Sequence, residues 1–251
     1  MSLEATLHNC AASPHMQYFG ICKCDCVFID VGANDGSTLT LWPQTASMLT
    51  RMSSGTIRRD KKIPGLRWHL NEFPELRGRL RNCLGNVSSS CYYGFEGNFQ
   101  FTAKLRKVQG DLRRRGYHAQ FFTETLFAKT NGTERFHIDN THYHLGSSIV
   151  VPSDNATVDN SSVITRSVDA SRFLEGLQPF SRLVAMKVDI ESYEYQLLEH
   201  LLGANAVCGK LDLLAIEWHE WLLGNASRGA SERLAKRLEG RGCGVPTLAW
   251  V

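Results

Sequence analysis

The stretch Cys26 to Trp42, CVFIDVGANDGSTLTLW, constrains the fold more than any other part of the chain. An apolar run, Val27-Phe28-Ile29, breaks at Asp30 into a turn carrying Gly32, Asn34, Asp35 and Gly36, and a Ser/Thr/Leu-rich segment follows. Strand, glycine turn and helix in that order open a βαβ unit, and the turn is where such a unit holds a ligand. Gly32 lets the backbone approach a ligand closely, and Gly36 lets the following helix pack near the strand. The helix N-terminus then offers free amides to a polar or anionic group. Asn34 stands where a GxGxxG motif has its middle glycine, and no Gly-Lys-Ser/Thr is present, which counts against dinucleotides and nucleoside triphosphates. The competing reading is a plain strand-to-helix turn that tolerates glycine.

Downstream, strand-like and helix-like segments alternate, as in a mainly parallel α/β sheet. The patterns predict strands over 27–31, 91–96, 118–127, 163–168, 183–188, 211–217 and 245–251. They predict helices over 37–50, 74–83, 99–112, 191–202 and 231–240, the last capped by Ser231. Residues 134–138 are expected to pair with the third strand across a hairpin-like Thr130-Asn131-Gly132. Residues 52–64 and 146–162 read as loops. A chain of 251 residues, 43% hydrophobic and 21% charged, suits one large domain. That domain spans 27–251, after an N-terminal extension over 1–26 and with a long insertion over about 50–90. The net charge of +3 is too small and mixed to indicate nucleic acid.

Ligands of an open parallel sheet bind beyond the carboxyl ends of its strands. The polar groups there are Asp30 with the glycine turn, Glu96, Asp189 with Glu191, and Glu217 with His219. Such acids at successive strand ends exceed what the sheet needs in order to fold. Glu96 is suited to grip two neighbouring ribose hydroxyls, with Glu72 in WHLNEF as its competitor.

VFIDVGANDGSTL, YYGFEGNFQFTAKL, MKVDIESYEYQLLEHL and LLAIEWHE, in this order, resemble the FkbM-type methyltransferases over about Val27 to His219. The resemblance implies a Rossmann-like class I methyltransferase fold, with helices on both faces of a sheet ordered 3-2-1-4-5, and S-adenosyl-L-methionine as cofactor. It implies that the turn Asp30, Gly32, Ala33, Asn34 and Gly36 holds the methionine part and that Glu96 holds the ribose. Thr123 and Glu124 would lie by the adenine. Asp189 and Glu191 would border the transferred methyl and a hydroxyl acceptor on a sugar, a glycan or a small metabolite. Asp189, Glu191 or His219 could take the acceptor's proton, and His219 has the most suitable unperturbed pKa. Where the family has glycine in DxEG this chain has Ser192, which could narrow the acceptor pocket or mark a degenerate binding module. A nicotinamide-dependent oxidoreductase is the other alternative.

Two further clusters carry ligating side chains. CKCDC, Cys22 to Cys26, could bind a metal or form a bridge, although a zinc site normally needs wider spacing. HIDNTHYHLG has His137, Asp139, His142 and His144, which could hold a divalent metal assisting an acceptor hydroxyl but read more readily as a polar loop. No metal is assigned to either. The N-terminus lacks the pattern of a signal peptide, and no apolar run reaches membrane-span length, so the expectation is a cytoplasmic chain. The eight cysteines and the sequons at Asn86, Asn131, Asn155, Asn160 and Asn225 suit instead a secretory-pathway lumen, if an N-terminal anchor is missing.

Overall fold

A computed structural model describes residues 10–12, 20–22, 24–38, 74–85, 87–139, 146–150, 161–177, 181–224 and 228–249. The main sheet consists of β3 (Cys26–Val31), β4 (Ser90–Glu96), β5 (His118–Thr123), β9 (Leu183–Val188), β10 (Leu213–Ile216) and β11 (Thr247–Ala249). Its order is β11-β10-β9-β3-β4-β5, and every neighbouring pair is parallel. Numbered by appearance within that sheet, this is the expected 3-2-1-4-5 order with a sixth strand added. Upstream, β1 (Cys10–Ala12) and β2 (Gly20–Cys22) pair antiparallel.

The residue alternation of β3 shows why two helical layers are needed. Val27, Ile29 and Val31 enter one apolar cluster, while Cys26 and Phe28 enter another on the opposite face. The second face is covered by α1 (Pro74–Gly85), through Leu76 and Leu80, and by α2 (Thr102–Arg114), through Leu105 and Leu112. The first face is covered by α3 (Ala170–Leu177), α4 (Glu194–Gly203) and α5 (Ala230–Glu239), which bring Phe173, Leu198 and Leu234 inward. Among the described residues, no helix is long and apolar enough to cross a membrane.

The predicted strand 118–127 is two strands in two sheets. Glu124 adopts a left-handed φ of 54° and turns the chain out of the main sheet. Beyond it, β6 (Thr125–Ala128) joins β7 (Gly132–His137) and β8 (Ser162–Asp169) in a three-stranded sheet ordered β6-β8-β7. The expected hairpin is therefore absent. β8 lies between its two arms, parallel to β6 and antiparallel to β7. Packing favours this arrangement, because Phe173 beyond β8 is fully buried and meets Tyr93, Phe95 and Phe127 edge-on at 5.4, 5.1 and 5.5 Å. That cluster fixes the small sheet over the carboxyl end of β4.

One other expectation changes, and one alternative is decided. Ser231 is not the cap of α5: Glu220 accepts from the amides of Gly229 and Ser231 and from the Ser231 hydroxyl, so a carboxylate serves the helix start. Cys24 and Cys26 form bridges, to Cys91 and Cys83, and Cys208 bridges Cys243. The first two tie the start of β3 to β4 and to α1. The predicted helix 37–50 is described only at its first turn, Ser37 and Thr38, and Glu72, His142 and His144 lie outside the described residues.

The Cys24–Cys91 bridge spans 67 residues. Replacing both cysteines by alanine is expected to lower the unfolding free energy by about 2–4 kcal/mol, measured by urea denaturation under non-reducing conditions.

Candidate active site

The strand ends converge on a buried lysine. Lys187 is 1% exposed, and its Nζ lies 3.3 Å from Asp30 Oδ1, 2.9 Å from Asp189 Oδ2 and 3.0 Å from the carbonyl of Gly32. Burial opposes its charge, yet the two carboxylates outweigh burial and raise its pKa. Burial pushes the Asp30 carboxyl up to about 6 against the opposing pull of Lys187. Asp30 thus sits beneath the turn, fully buried, as a partner of Lys187.

The glycine turn above it is anchored within the protein. The amides of Gly32 and Ala33 donate to the Phe95 carbonyl at 3.1 and 3.0 Å, and the amide of Asn34 donates to Glu96 Oε2 at 2.7 Å. These three amides therefore have acceptors within the protein. Gly32 has φ 77°, and a Cβ there would lie 1.8 Å from the Asp189 carbonyl oxygen. Its missing side chain therefore makes room for the end of β9 rather than for a ligand. Gly36 packs its backbone against Leu105 and Val108 of α2, and Ala33 is buried in the core on that face.

Glu96 ends β4 at 5% exposure, with Oε2 held by Asn34 and Oε1 accepting from the Asn98 amide at 2.7 Å. Burial is the largest influence on it and raises its pKa to about 7, although both amides pull the other way. It lines a cleft with Val31, Gly32, Asn34, Leu126 and Tyr193, whose empty volume, part of it open to solvent, is about 440 Å³. Thr123 is level with Glu96 on the neighbouring strand, while the exposed Glu124 side chain accepts from Thr102. Neither lines the cleft.

Asp189, Glu191 and His219 do come together. His219 Nε2 lies 3.5 Å from Glu191 Oε1, 3.7 Å from Glu217 Oε1 and 3.9 Å from Asp189 Oδ1. Behind the ring, Glu194 Oε1 accepts from the His219 amide at 2.8 Å and sits 3.3 Å from Nδ1. Burial disfavours the imidazolium, but the Glu194 contact and the charges of Glu191 and Asp189 prevail, raising the pKa to about 9. Burial pushes Glu191 up to about 7, helped by Asp189 and opposed by His219, and also raises Glu217. The environment therefore makes His219 a poorer base near neutrality than its unperturbed pKa suggests. Ile190, between the two acids, lines the same cleft as Glu96.

Lys187 and Glu194 are absent from the sequence reading. A lysine inside the otherwise apolar LVAMKV, two residues before Asp189 and hence on the same side of the strand, is the signal for the first. Nothing local marks Glu194, because its partner arrives from 25 residues further along the chain.

Ser192 has φ 74°, next to Glu191 at φ 51°. The backbone here asks for glycine. The side chain is 1% exposed and lies outside the cleft lining, so it does not narrow the cleft, and its hydroxyl has no hydrogen-bond partner among the described residues. No protein-family model, curated protein or solved structure matches the chain.

Ser192→Gly is expected to stabilise the protein by about 1 kcal/mol in urea denaturation, since relief of the left-handed strain and of the unpaired hydroxyl exceeds the entropic cost of glycine. Lys187→Met leaves the buried Asp30 and the half-buried Asp189 without their shared cation and is expected to cost about 3–5 kcal/mol by the same measurement.

Proposed function

We propose that the chain is an S-adenosylmethionine-dependent methyltransferase of the FkbM type, methylating a hydroxyl oxygen of a sugar, a glycan or a small metabolite. The observation that carries this reading is Glu96. A carboxylate at 5% exposure, lining an apolar cleft at the end of the second parallel strand and oriented by two backbone amides, fits a ribose diol. Each of its oxygens keeps a lone pair for one hydroxyl. Ile190 and Tyr193 border the same cleft and join it to the Asp189–Glu191–His219 cluster.

When bound, the cofactor supplies a methyl group activated by a positively charged sulfur. The residues of this chain have three tasks around it. Glu96 fixes the ribose. The Gly32–Asp189 contact sets the distance between the cofactor turn and the acceptor side. The carboxylates of Asp189 and Glu191 stand where an acceptor hydroxyl can hand over its proton, and alignment supplies the rest of the rate.

The bridges Cys24–Cys91, Cys26–Cys83 and Cys208–Cys243 favour an oxidising compartment, and on this ground we place the protein in the secretory-pathway lumen rather than in the cytoplasm. Fractionation of cells expressing the full-length protein tests the location. A reduced protein in the cytosolic fraction would overturn it.

Calorimetry with S-adenosylhomocysteine tests the reading. Wild-type protein is expected to bind, and Glu96→Ala to lose at least about 100-fold in affinity, as two charge-assisted hydrogen bonds disappear. Tight binding of NADH without binding of S-adenosylhomocysteine would sink the proposal. The ionised carboxylate accepts both hydroxyls and the protonated one loses an acceptor site. Affinity is therefore expected to fall as the pH drops through about 7, the raised value of Glu96. In Glu96→Gln it should be weak and flat over the same range.

A further inference from the structure

We propose that Asp189, Glu191 and His219, with Glu217 at the rim, bind one divalent first-row cation, of which Mn²⁺ is the probe of choice. No metal is expected here from the sequence. Strand ends and loops bring the residues together: Asp189 and Glu191 follow β9, and Glu217 and His219 follow β10. One ligand atom from each of Asp189, Glu191 and His219 falls within a set spanning no more than 4.8 Å. The 3.5, 3.7 and 3.9 Å separations from Nε2 to the three carboxylates are too long for good hydrogen bonds. They match donors that share an ion, since ligands about 2.1 Å from one cation lie about 3 to 4 Å from each other.

The second observation is the far side of the ring. Glu194, fully buried, holds the His219 amide at 2.8 Å and lies 3.3 Å from Nδ1. With a cation in place of the Nε2 proton, that contact would hold the remaining proton on Nδ1 and keep Nε2 turned toward the carboxylates. Carboxylate, histidine and metal in series is the usual arrangement by which a protein orients a ligating imidazole. Among the described residues Nε2 makes no hydrogen bond, although the His219 side chain is only 6% exposed. Lys187 engages Asp189 through Oδ2 at 2.9 Å, which leaves Oδ1 facing His219. The turn that aims Glu191 is held by Ser148, whose hydroxyl donates to the Glu191 carbonyl at 2.7 Å.

One imidazole nitrogen among carboxylate oxygens suits Mn²⁺, Fe²⁺ or Zn²⁺ better than Ca²⁺ or Mg²⁺, which favour all-oxygen shells. The cluster adjoins the cleft through Ile190. A cation there would bind the acceptor hydroxyl and ease loss of its proton, which would pass to the Glu191 oxygen that does not ligate the cation. That role rests on the methyltransferase reading, whereas cation binding does not.

The test is Mn²⁺ binding to the EDTA-treated full chain at neutral pH, followed by electron paramagnetic resonance and calorimetry. About one Mn²⁺ per chain is expected, weakened at least about 10-fold in Glu191→Gln and in Glu217→Gln. Glu217 is 38% exposed, so its variant tests the site without disturbing the core. Glu96→Gln should bind Mn²⁺ as the wild type does while losing S-adenosylhomocysteine. Absence of Mn²⁺ binding, or binding unchanged in both glutamine variants, overturns the site and leaves the cofactor result standing. Mn²⁺ binding with no S-adenosylhomocysteine binding retains the site and removes the methyltransferase reading.

Discussion

The ammonium of Lys187 is the point on which the rest of the structure turns. A charge at 1% exposure is tolerable only because Asp30, Asp189 and the Gly32 carbonyl surround it. Those three groups come from the end of β3, the end of β9 and the turn after β3. One side chain therefore sets where the turn lies relative to the loop after β9. The Asp189 carbonyl fills the space where a side chain on Gly32 would sit, so the two segments behave as one body.

On that body the charged groups divide between two places. Glu96 stands alone in an apolar cleft with its oxygens oriented by the amides of Asn34 and Asn98. Asp189, Glu191, Glu217 and His219 crowd together one residue beyond Ile190, oriented from behind by Glu194. Burial is the largest influence on the carboxyls at both places, with Asp30 adding a like charge at Glu96 and Asp189, Glu194 and Glu217 adding theirs at Glu191. An isolated acid suits neutral hydroxyls. A crowded set suits a cation or a transferable proton.

Rigidity at the opposite end of the strands comes from covalent bonds. Cys24 and Cys26 are joined to Cys91 and Cys83, next to the start of β3 and β4, while the cleft lies at the finish of the same strands. Above the cleft, the aromatic contacts of Phe173 hold the β6-β8-β7 sheet against Phe95. The cleft is thus bounded by elements fixed from both ends, which is what positioning a ligand to within a fraction of an ångström requires.

Periodicity and strand-end chemistry made most of the parallel sheet legible in the sequence. The runs VFIDV, LVAMKV and LDLLAIE are apolar because both their faces are buried, and their order predicted the layered fold. The acids at strand ends, Glu96 after YYGF and Asp189 and Glu191 after LVAMKV, were legible because a polar residue ending such a run has few structural reasons to be there. Local pattern could not supply the pairing of β8 between β6 and β7, or the partners of Cys24 and Cys26. Nor could it show that Gly32 yields to a backbone carbonyl, or that Glu194 reaches His219. Each depends on which distant segments meet, and that is decided by packing and electrostatic compensation across the whole chain. The sequence by itself determined the sheet and the acids at its edge, and the tertiary structure alone decided how those acids are charged, held and shared.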